Sequence, residues 1–235
     1  EVLSALSKKY GPIFTSQEFT PLAVSRAKKL NELDISYVGS PYAVSPGRVR
    51  KPDGSQYKVY TPFYKAWLAH GWRKPEVTPK DLNNLVSMKS EKLEAVAPGL
   101  PPAGEVAALK RWKEYRSSDL ARYDEERNRA DLNSTSGMSR FLRWGEIHPR
   151  TLLADLNQTS AHEVFRKEIA WREFYADVLH HEPHTNQNYY KPEFKKMKYD
   201  KPGKKYDAWK SGKTGYPFVD AGMRQLNEEG WMHNR

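Results

Sequence analysis

The sequence predicts an α/β unit followed by an all-helical unit. Residues 1–72 alternate short apolar strands with helical stretches, which is the rhythm of a domain built on a parallel sheet. Residues 73–105 carry five prolines and little periodicity, as is typical of a long connection. From residue 106 onward, every strong pattern has helical spacing. We therefore expect a partial α/β domain over 1–72, a linker over 73–105 and a partial helical domain over 106–235.

In the first unit, a helix over residues 1–9 precedes two short apolar runs, which predict strands at 13–15 and 35–38. Between them, Thr20 before a proline is typical of a helix start, with Leu22 on the inner side of that helix. A further strand is predicted over 56–60, followed by a helix capped at Thr61. This half contains no glycine-rich phosphate loop, so nucleotide binding cannot be argued from it.

In the second unit, spacing predicts five helices, with a polar helix or turn over 119–129. Gly145 and Gly230 are the expected stops of two of them, because glycine accepts the left-handed conformation that ends a helix. Ser160 and Glu163 fit a capping box, in which each side chain satisfies the other residue's main-chain N–H. The five predicted helices span residues 105–116, 138–144, 149–156, 161–181 and 217–229.

Composition favours a polyanionic partner. The formal net charge is +10, and residues 191–213 hold nine lysines against three acidic residues. That stretch is equally well interpreted as a solvated loop or as a phosphate-facing edge. The chain has no cysteine and no apolar run near the roughly 20 residues that span a bilayer. It does not begin with Met, so we expect the natural N-terminus to lie further upstream.

The predicted helix over 161–181 carries an unusual polar and aromatic face. Glu168, Trp171, Arg172 and Tyr175 stand at i, i+3, i+4 and i+7 and share that face, while Phe165 begins an apolar face made with residues 169, 176 and 179. One interpretation is a simple Glu–Arg pair beside two half-buried aromatics. The other is a recognition face that stacks a base, accepts from its edge and binds a phosphate.

Two further clusters have competing interpretations. Thr135, Ser136 and Ser139 place three hydroxyls at a predicted helix start, which suits either N-capping or an anion. Three histidines at 180, 181 and 184 lie at a predicted helix end, where positive charge is favoured. Their spacing matches no helical metal pair, so we predict no metal.

Together these segments resemble the DNA photolyase/cryptochrome family, and most closely its class I cyclobutane pyrimidine dimer photolyases. Three motifs carry the resemblance in the family's order and spacing, and the stretch Tyr57-Lys-Val-Tyr-Thr-Pro-Phe63 extends it weakly into the first unit. The motifs are Thr135-Ser-Gly-Met-Ser139 with its continuation through Arg150, Glu168-Ile-Ala-Trp-Arg-Glu-Phe-Tyr175, and Thr214-Gly-Tyr-Pro217 through Trp231-Met-His-Asn-Arg235.

The resemblance implies the C-terminal part of a Rossmann-like antenna domain joined to the first part of an all-helical FAD-binding domain. It implies that FAD is held at its phosphates by Thr135, Ser136, Gly137, Met138 and Ser139. It also places Tyr123 and Phe165 against the flavin. A second, antenna chromophore, either a folate or a deazaflavin, is implied in the full-length protein.

The resemblance also implies UV-damaged DNA as the substrate. Excited, fully reduced FAD would donate an electron that splits a flipped-out pyrimidine dimer. Glu168 and Asn234 would be the catalytic residues, with Asn234 between flavin and lesion. The implied DNA contacts are Arg127, Glu168, Trp171, Arg172, Tyr175, Asn234 and Arg235. Trp209 and Tyr199 stand where relatives have electron-transfer residues.

Within the family, Asn234 after His233 matches cyclobutane-dimer photolyases, whereas relatives that repair (6-4) photoproducts carry two adjacent histidines there. A cryptochrome-type photoreceptor without repair activity is the alternative. The resemblance further implies a monomeric, cytoplasmic protein that is not associated with membranes. Because the family continues beyond Arg235, we expect the 235 residues alone to be inactive and to retain FAD weakly.

Overall fold

A computed structural model describes residues 2–77, 89–92 and 99–234 of the chain. The first unit contains three helices and two strands, and the second contains seven helices. Short 3₁₀ turns occupy Leu120–Arg122, Pro183–Asn186 and Pro192–Lys196. The first-unit elements are α1 (Val2–Tyr10), β1 (Ile13–Thr15), α2 (Pro21–Lys28), β2 (Ile35–Tyr37) and α3 (Tyr60–His70). The second-unit helices are α4 (Glu105–Ser118), α5 (Tyr123–Glu126), α6 (Met138–Trp144), α7 (Pro149–Ala154), α8 (Ser160–His181), α9 (Lys204–Lys210) and α10 (Pro217–Glu229).

The two predicted strands form a parallel pair, with Ile13 opposite Ile35 and Thr15 opposite Tyr37. The pair is exposed, since Phe14 retains 66% of its accessible surface. The described residues thus hold a mostly helical protein with a two-stranded parallel sheet. The Rossmann-like architecture around that sheet stays a prediction.

Three predictions in the first unit are wrong: the strand over 56–60, the helix cap at Thr61 and the inward position of Leu22. Val59 is the N-cap residue of α3, and Thr61 lies inside that helix. Residues 56–58 form no strand, and Tyr60 is already the first residue of α3. The apolar pattern there has another cause, because Tyr57 and Tyr60 both pack against the helical core at i and i+3. Leu22 does not face inward either. It is 62% exposed on α2, whose start at Thr20 is confirmed by the threonine hydroxyl that accepts from Ala23 N–H.

The predicted helices of the second unit are confirmed, and Gly145 and Gly230 end two of them in the left-handed conformation at φ 72° and 67°. The capping box is wrong. Thr159 is the N-cap residue of α8, and Ser160 lies inside the helix. Glu163 accepts instead from the Tyr64 hydroxyl at 2.7 Å and pairs with Arg166. A tertiary partner on α3 and an arginine one turn along α8 therefore replace the local cap.

A single hydrophobic core crosses the predicted domain boundary. Side chains of α3 lie in the same buried cluster as those of α4, α6, α7 and α8. The domain limits of 72 and 106 stay a prediction, but the buried side chains of residues 43, 44, 49, 63, 64 and 67 belong to the helical core. Its most buried members, at 3% exposure or less, include Phe63, Trp67, Trp112, Tyr115, Phe141 and Leu152.

Helix α8 buries carboxylates as well as apolar side chains. Phe165 and Ile169 are buried as predicted, whereas residues 176 and 179 are only half-buried. Further along, the buried side chains are those of Glu173, Phe174 and Asp177. Toward its C-terminal end, α8 therefore turns a different face inward, against residues 40–50. Sequence periodicity did not predict that the two acidic side chains on this face are buried.

These carboxylates bind the main chain of the segment 40–47. Glu173 accepts from the N–H groups of Ala43 and Val44, the latter at 3.0 Å, and Asp177 accepts from Gly47 N–H at 2.6 Å. Two arginines and one histidine donate hydrogen bonds to main-chain carbonyls of the same segment. Arg150 binds the carbonyl of residue 43, Arg172 that of residue 41 and His148 that of residue 40. The segment is held from both sides.

Candidate functional site

The second unit contains an open cleft of about 490 Å³ that brings many of the predicted site residues together. It is continuous with a wider cleft of about 700 Å³, and both are lined by Thr135, Gly137, Trp231 and His233. Four pieces of chain build the smaller cleft. They are α5 with the residue that follows it, the loop 135–139, one turn of α8 and the chain after α10.

The loop 135–139 presents its main chain to the cleft. Gly137 adopts φ +67°, and no atom lies within 4 Å of the position a Cβ would take. Ser136 is turned back on the loop, since its hydroxyl accepts from Met138 N–H at 3.3 Å. Arg111 of α4 holds the loop from behind by donating to the carbonyls of Thr135 and Ser136 at 2.8 and 3.0 Å. Thr135 through Ser139 all line the cleft.

An aromatic wall stands beside this loop. Tyr123 lines the cleft and rests edge-on against Phe165, with ring centroids 5.2 Å apart. Phe165 itself is buried beneath Tyr123, where it stacks on Trp112 at 5.5 Å. Tyr123 therefore offers a ring to the cleft, and Phe165 supports that ring from the core.

Opposite charges face each other across the cleft floor. Arg127 donates to the Glu168 carboxylate at 2.7 Å, and the two side chains are 23% and 32% exposed. Since Arg127 follows α5 and Glu168 lies on α8, this pair joins two walls of the site. Both residues were predicted to contact DNA separately. The structure pairs them, leaving the carboxylate further lone pairs for a ligand.

The chain after α10 closes one side. Gly230 turns the chain out of the helix, and Trp231, His233 and Asn234 then line the cleft. The entrance to α10 is held by Asp220, whose carboxylate accepts from Thr214 N–H at 2.8 Å and from its hydroxyl. Asn234 thus lies in the same cleft as Glu168, as predicted. Arg235 lies outside the described residues.

The other residues of the predicted recognition face do not line the cleft. Trp171 stacks on Tyr60 with ring centroids 3.5 Å apart, and Tyr175 is 63% exposed beside it. Arg172 donates to the carbonyls of Pro41 and Leu142 at 2.9 and 3.2 Å. Its guanidinium therefore joins structural elements, and the phosphate contact stays a prediction.

The chain is similar to several known proteins. Residues 165–235 match a family model described as the FAD binding domain of DNA photolyase. A deoxyribodipyrimidine photo-lyase of Alkalihalophilus pseudofirmus is 34% identical over 218 residues, which cover 83% of this chain and 44% of the relative. A crystal structure of a bacterial class III photolyase from Agrobacterium tumefaciens superposes with a TM-score of 0.84 at 30% identity, covering 100% of this chain and 54% of that one.

The chain thus resembles DNA photolyases over most of its length, and residues 165–235 match their FAD-binding domain. The Synechocystis cryptochrome shares the fold, with a TM-score of 0.75 at 22% identity, 100% of this chain and 55% of that one being covered. The chain spans about half the length of the photolyases it matches, 44% in the case of the Alkalihalophilus enzyme.

The residues present fit the flavin that the photolyase match implies. The loop main chain faces open space at Gly137, and a volume of about 490 Å³ lies within the range of ligand pockets. Ser134, next to the loop, is buried, and its hydroxyl has no hydrogen-bond partner among the described residues. A segment whose glycine leaves open space beside the main chain gives room for a polyanionic group such as a pyrophosphate. Helix α6 has only seven residues, so the loop contributes more than the helix dipole does.

The two residues predicted to transfer electrons do not line the cleft. Trp209 is 45% exposed, and Tyr199 is 63% exposed and hydrogen-bonded through its hydroxyl to Tyr189. Their electron-transfer role stays a prediction. The nine lysines of residues 191–213 are exposed and form no ion pair with any other residue that the structure describes. That surface is unpaired, which is compatible with both interpretations of it.

The predicted histidine cluster is partly buried against the first unit. His180 packs edge-on against Phe19 at 5.5 Å, and burial lowers its pKa. The neutral form is therefore favoured, in contrast to the predicted positive charge at a helix end. Sequence reasoning also missed Arg111 and Tyr60, because nothing local marks a residue whose partner lies 24 or 111 positions away.

Within the described ranges, no helix is both long enough and apolar enough to cross a membrane.

Proposed function

We propose that this protein is a light-dependent DNA repair lyase that holds FAD in the cleft and splits cyclobutane pyrimidine dimers. One observation carries the proposal. Within a chain of photolyase-family sequence, the cleft joins the Tyr123 ring, the loop of Thr135–Ser139, the Glu168 carboxylate and the Asn234 amide.

The chain's own residues would bind and orient the flavin. The segment 135–139 lines the cleft and runs into the first turn of α6, where main-chain N–H groups would suit the pyrophosphate. Arg111 keeps that loop in place through two carbonyls. Tyr123, supported by Phe165, provides a ring against which an aromatic cofactor packs. When bound, fully reduced FAD supplies the light-driven electron that opens the dimer.

Glu168 and Asn234 would act on the lesion. An extruded pyrimidine presents carbonyl and imide groups along its edge, and Asn234 offers both a donor and an acceptor. Glu168 accepts from an imide N–H, and Arg127 beside it adds positive charge where negative charge develops on the base. Trp231 and His233 line the same cleft beside these groups.

The test is a repair assay on the natural full-length protein. FAD is bound and reduced, a thymine-dimer oligonucleotide is added, and intact dimers are counted before and after illumination. We expect dimers to disappear in the light and to persist in the dark. If they persist in the light while FAD is bound and reduced, repair fails and a cryptochrome-type photoreceptor is the better assignment.

Glu168→Ala and Glu163→Ala serve as a matched pair in this assay. Both glutamates lie on α8 and both are ion-paired, but Glu163 bonds Tyr64 and Arg166 away from the cleft. We expect only the first substitution to slow repair. The antenna chromophore, the monomeric state and the cytoplasmic location stay predictions of the family resemblance.

A further inference from the structure

Tyr60 stacks on Trp171 more closely than any other pair of rings in the described chain, at 3.5 Å between centroids and 7° between planes. Aromatic pairs in proteins usually lie 4.5–7 Å apart in offset or edge-on geometry. The two rings therefore overlap almost fully. Tyr60 covers one face of the indole.

Tyr60 is itself anchored to the helix that carries Trp171. Its hydroxyl donates to the main-chain carbonyl of Lys167 at 2.9 Å. In an α-helix that carbonyl also accepts from the N–H four residues later, which is the N–H of Trp171. Burial raises the pKa of the Tyr60 phenol, so the hydroxyl stays protonated and remains a donor. The ring and the backbone of Trp171 are held by the same tyrosine.

Neighbouring rings keep this pair in place. Phe174, which is buried, lies edge-on to both Tyr60 and Trp171 at 5.9 and 5.8 Å. Tyr64 lies 5.8 Å from Tyr60 and is anchored separately, because its hydroxyl donates to Glu163. Tyr60 cannot turn away without breaking its contacts to Lys167 and Phe174 on α8.

The other neighbour of Trp171 is less constrained. Tyr175 lies 5.7 Å away with its plane tilted by 23°, and it is 63% exposed. An exposed tyrosine at that distance can turn aside. The indole therefore has one closed side at Tyr60 and one side that a planar ligand can reach.

We propose that Tyr60 is a positioning residue for Trp171. It fixes the tilt of the indole and leaves a single side, beside Tyr175, on which one nucleobase of an extruded lesion stacks. This inference rests on the proposed function, and it deepens that function by naming how the platform is held. A one-sided platform takes one base and excludes insertion between two.

The experiment compares four single variants of the full-length protein: Tyr60→Leu, Tyr60→Phe, Tyr64→Leu and Trp171→Ala. Tyr60→Leu removes the stack, whereas Tyr60→Phe keeps it and loses only the bond to Lys167. Tyr64→Leu is the matched control, because Tyr64 is a similarly placed tyrosine that bonds α8 without stacking on Trp171. The readouts are the Kd for a thymine-dimer oligonucleotide, the splitting rate at saturation, and near-UV circular dichroism.

We expect Tyr60→Leu to weaken dimer binding 5- to 20-fold, to leave the saturated splitting rate unchanged and to alter the near-UV spectrum. Tyr60→Phe and Tyr64→Leu should bind within 3-fold of the natural protein. In a Trp171→Ala background, Tyr60→Leu should add no further loss, because it acts through Trp171. Should Tyr60→Leu not fold, Tyr60→Met carries the same test, because it also removes the stacked ring.

Three outcomes overturn the inference. In the first, Tyr60→Leu binds the oligonucleotide as tightly as the natural protein while Trp171→Ala binds it weakly. In the second, Tyr60→Leu weakens binding by its full factor even when Trp171 is already alanine. Either result removes the positioning role and leaves the proposed function standing. If Trp171→Ala itself binds normally, the stacking role in the proposed function falls together with this inference.

Discussion

The indole of Trp67 donates to the carboxylate of Glu173 at 2.6 Å, and both side chains are fully buried. Together with the N–H groups of Ala43 and Val44, three donors converge on one acid in the core. Helix α3, helix α8 and the segment 40–47 meet at this carboxylate. Since α8 also carries Glu168, the geometry of the candidate site depends on this junction.

Replacing Glu173 with alanine should therefore destabilise the protein strongly. The change leaves three buried donors without an acceptor, and each unsatisfied donor costs about 1–3 kcal/mol before relaxation. We expect the free energy of unfolding to fall by about 3–5 kcal/mol in urea denaturation. The control is Glu32→Ala, since Glu32 is exposed and its replacement should stay within about 0.5 kcal/mol. A loss of similar size in both variants would contradict the role of the junction.

The same carboxylate makes stability depend on pH. Burial raises the pKa of Glu173 from 4.5 to about 7, against the opposing effect of its three hydrogen bonds and of Arg172. The folded protein thus binds this proton more tightly than the unfolded chain does. The stabilisation is complete below pH 4.5 and is lost as the pH rises through about 7.

We therefore expect the contribution of Glu173 to lower the free energy of unfolding between pH 5 and pH 8, by up to about 3 kcal/mol at about 1.4 kcal/mol per pKa unit. His148 and His180, whose pKa values are lowered by burial, act in the opposite direction. The contribution of Glu173 is therefore measured as the difference in free energy of unfolding between two proteins. Denaturation curves of the natural protein and of Glu173→Gln are compared at several pH values, and parallel pH profiles would refute the assignment.

Gly137 provides a test of the cofactor loop. Its φ of +67° strains any residue with a Cβ, and the open space beside it is where a flavin phosphate would approach. Gly137→Ala should lower the free energy of unfolding by about 1–2 kcal/mol and weaken FAD binding by at least about tenfold. Isothermal titration of FAD into the apoprotein gives the affinity.

Gly54→Ala is the matched control for that prediction. Gly54 has φ +78°, also has open space around its Cβ position, and lies in an exposed turn far along the chain from the cleft. The two substitutions should cost similar stability. Only the one at Gly137 should affect FAD, and equal FAD binding by both variants would show that the loop does not hold the cofactor.

Glu168 and Trp171 should separate chemistry from binding. They lie on the same helix, but Glu168 lines the cleft with Arg127, while Trp171 stacks on Tyr60 outside it. Glu168→Ala should slow dimer splitting more than it weakens DNA binding. Trp171→Ala should do the reverse, with a loss of about 1–3 kcal/mol in binding for one stacking platform. Single-turnover splitting rates and binding isotherms measure the two steps, and equal effects on both from each variant would be evidence against this division of roles.

Local pattern was a good guide to helices and a poor one to their partners. The helix over Met138–Trp144 and the stop at Gly230 follow from spacing and glycine, which act within a few residues. The capping box at Ser160 failed because Glu163 found a stronger partner in Tyr64, 99 residues away in the chain. The supposed strand over 56–60 failed because its tyrosines pack on helices instead.

The candidate site, too, was predictable from the sequence only in part. Its residue types and order were readable, since Thr135–Ser139, Glu168 and Asn234 lie in motifs and the resemblance implied Tyr123. These residues do share one cleft. The pairing of Arg127 with Glu168 was not readable, nor was the use of Arg172 as a structural donor. The spacing of residues along a helix predicts which side chains share a face, but it does not predict which residues pack against that face.

The sequence alone thus determined the helices, the basic character and the resemblance to DNA photolyases. Those properties depend on local spacing, on net charge and on motifs that keep their order along the chain. Only the tertiary structure decided which carboxylate would be buried, which cation would pair with Glu168 and which ring would cover Trp171. Each of these is a contact between residues far apart in the chain, and burial by the whole fold sets its strength.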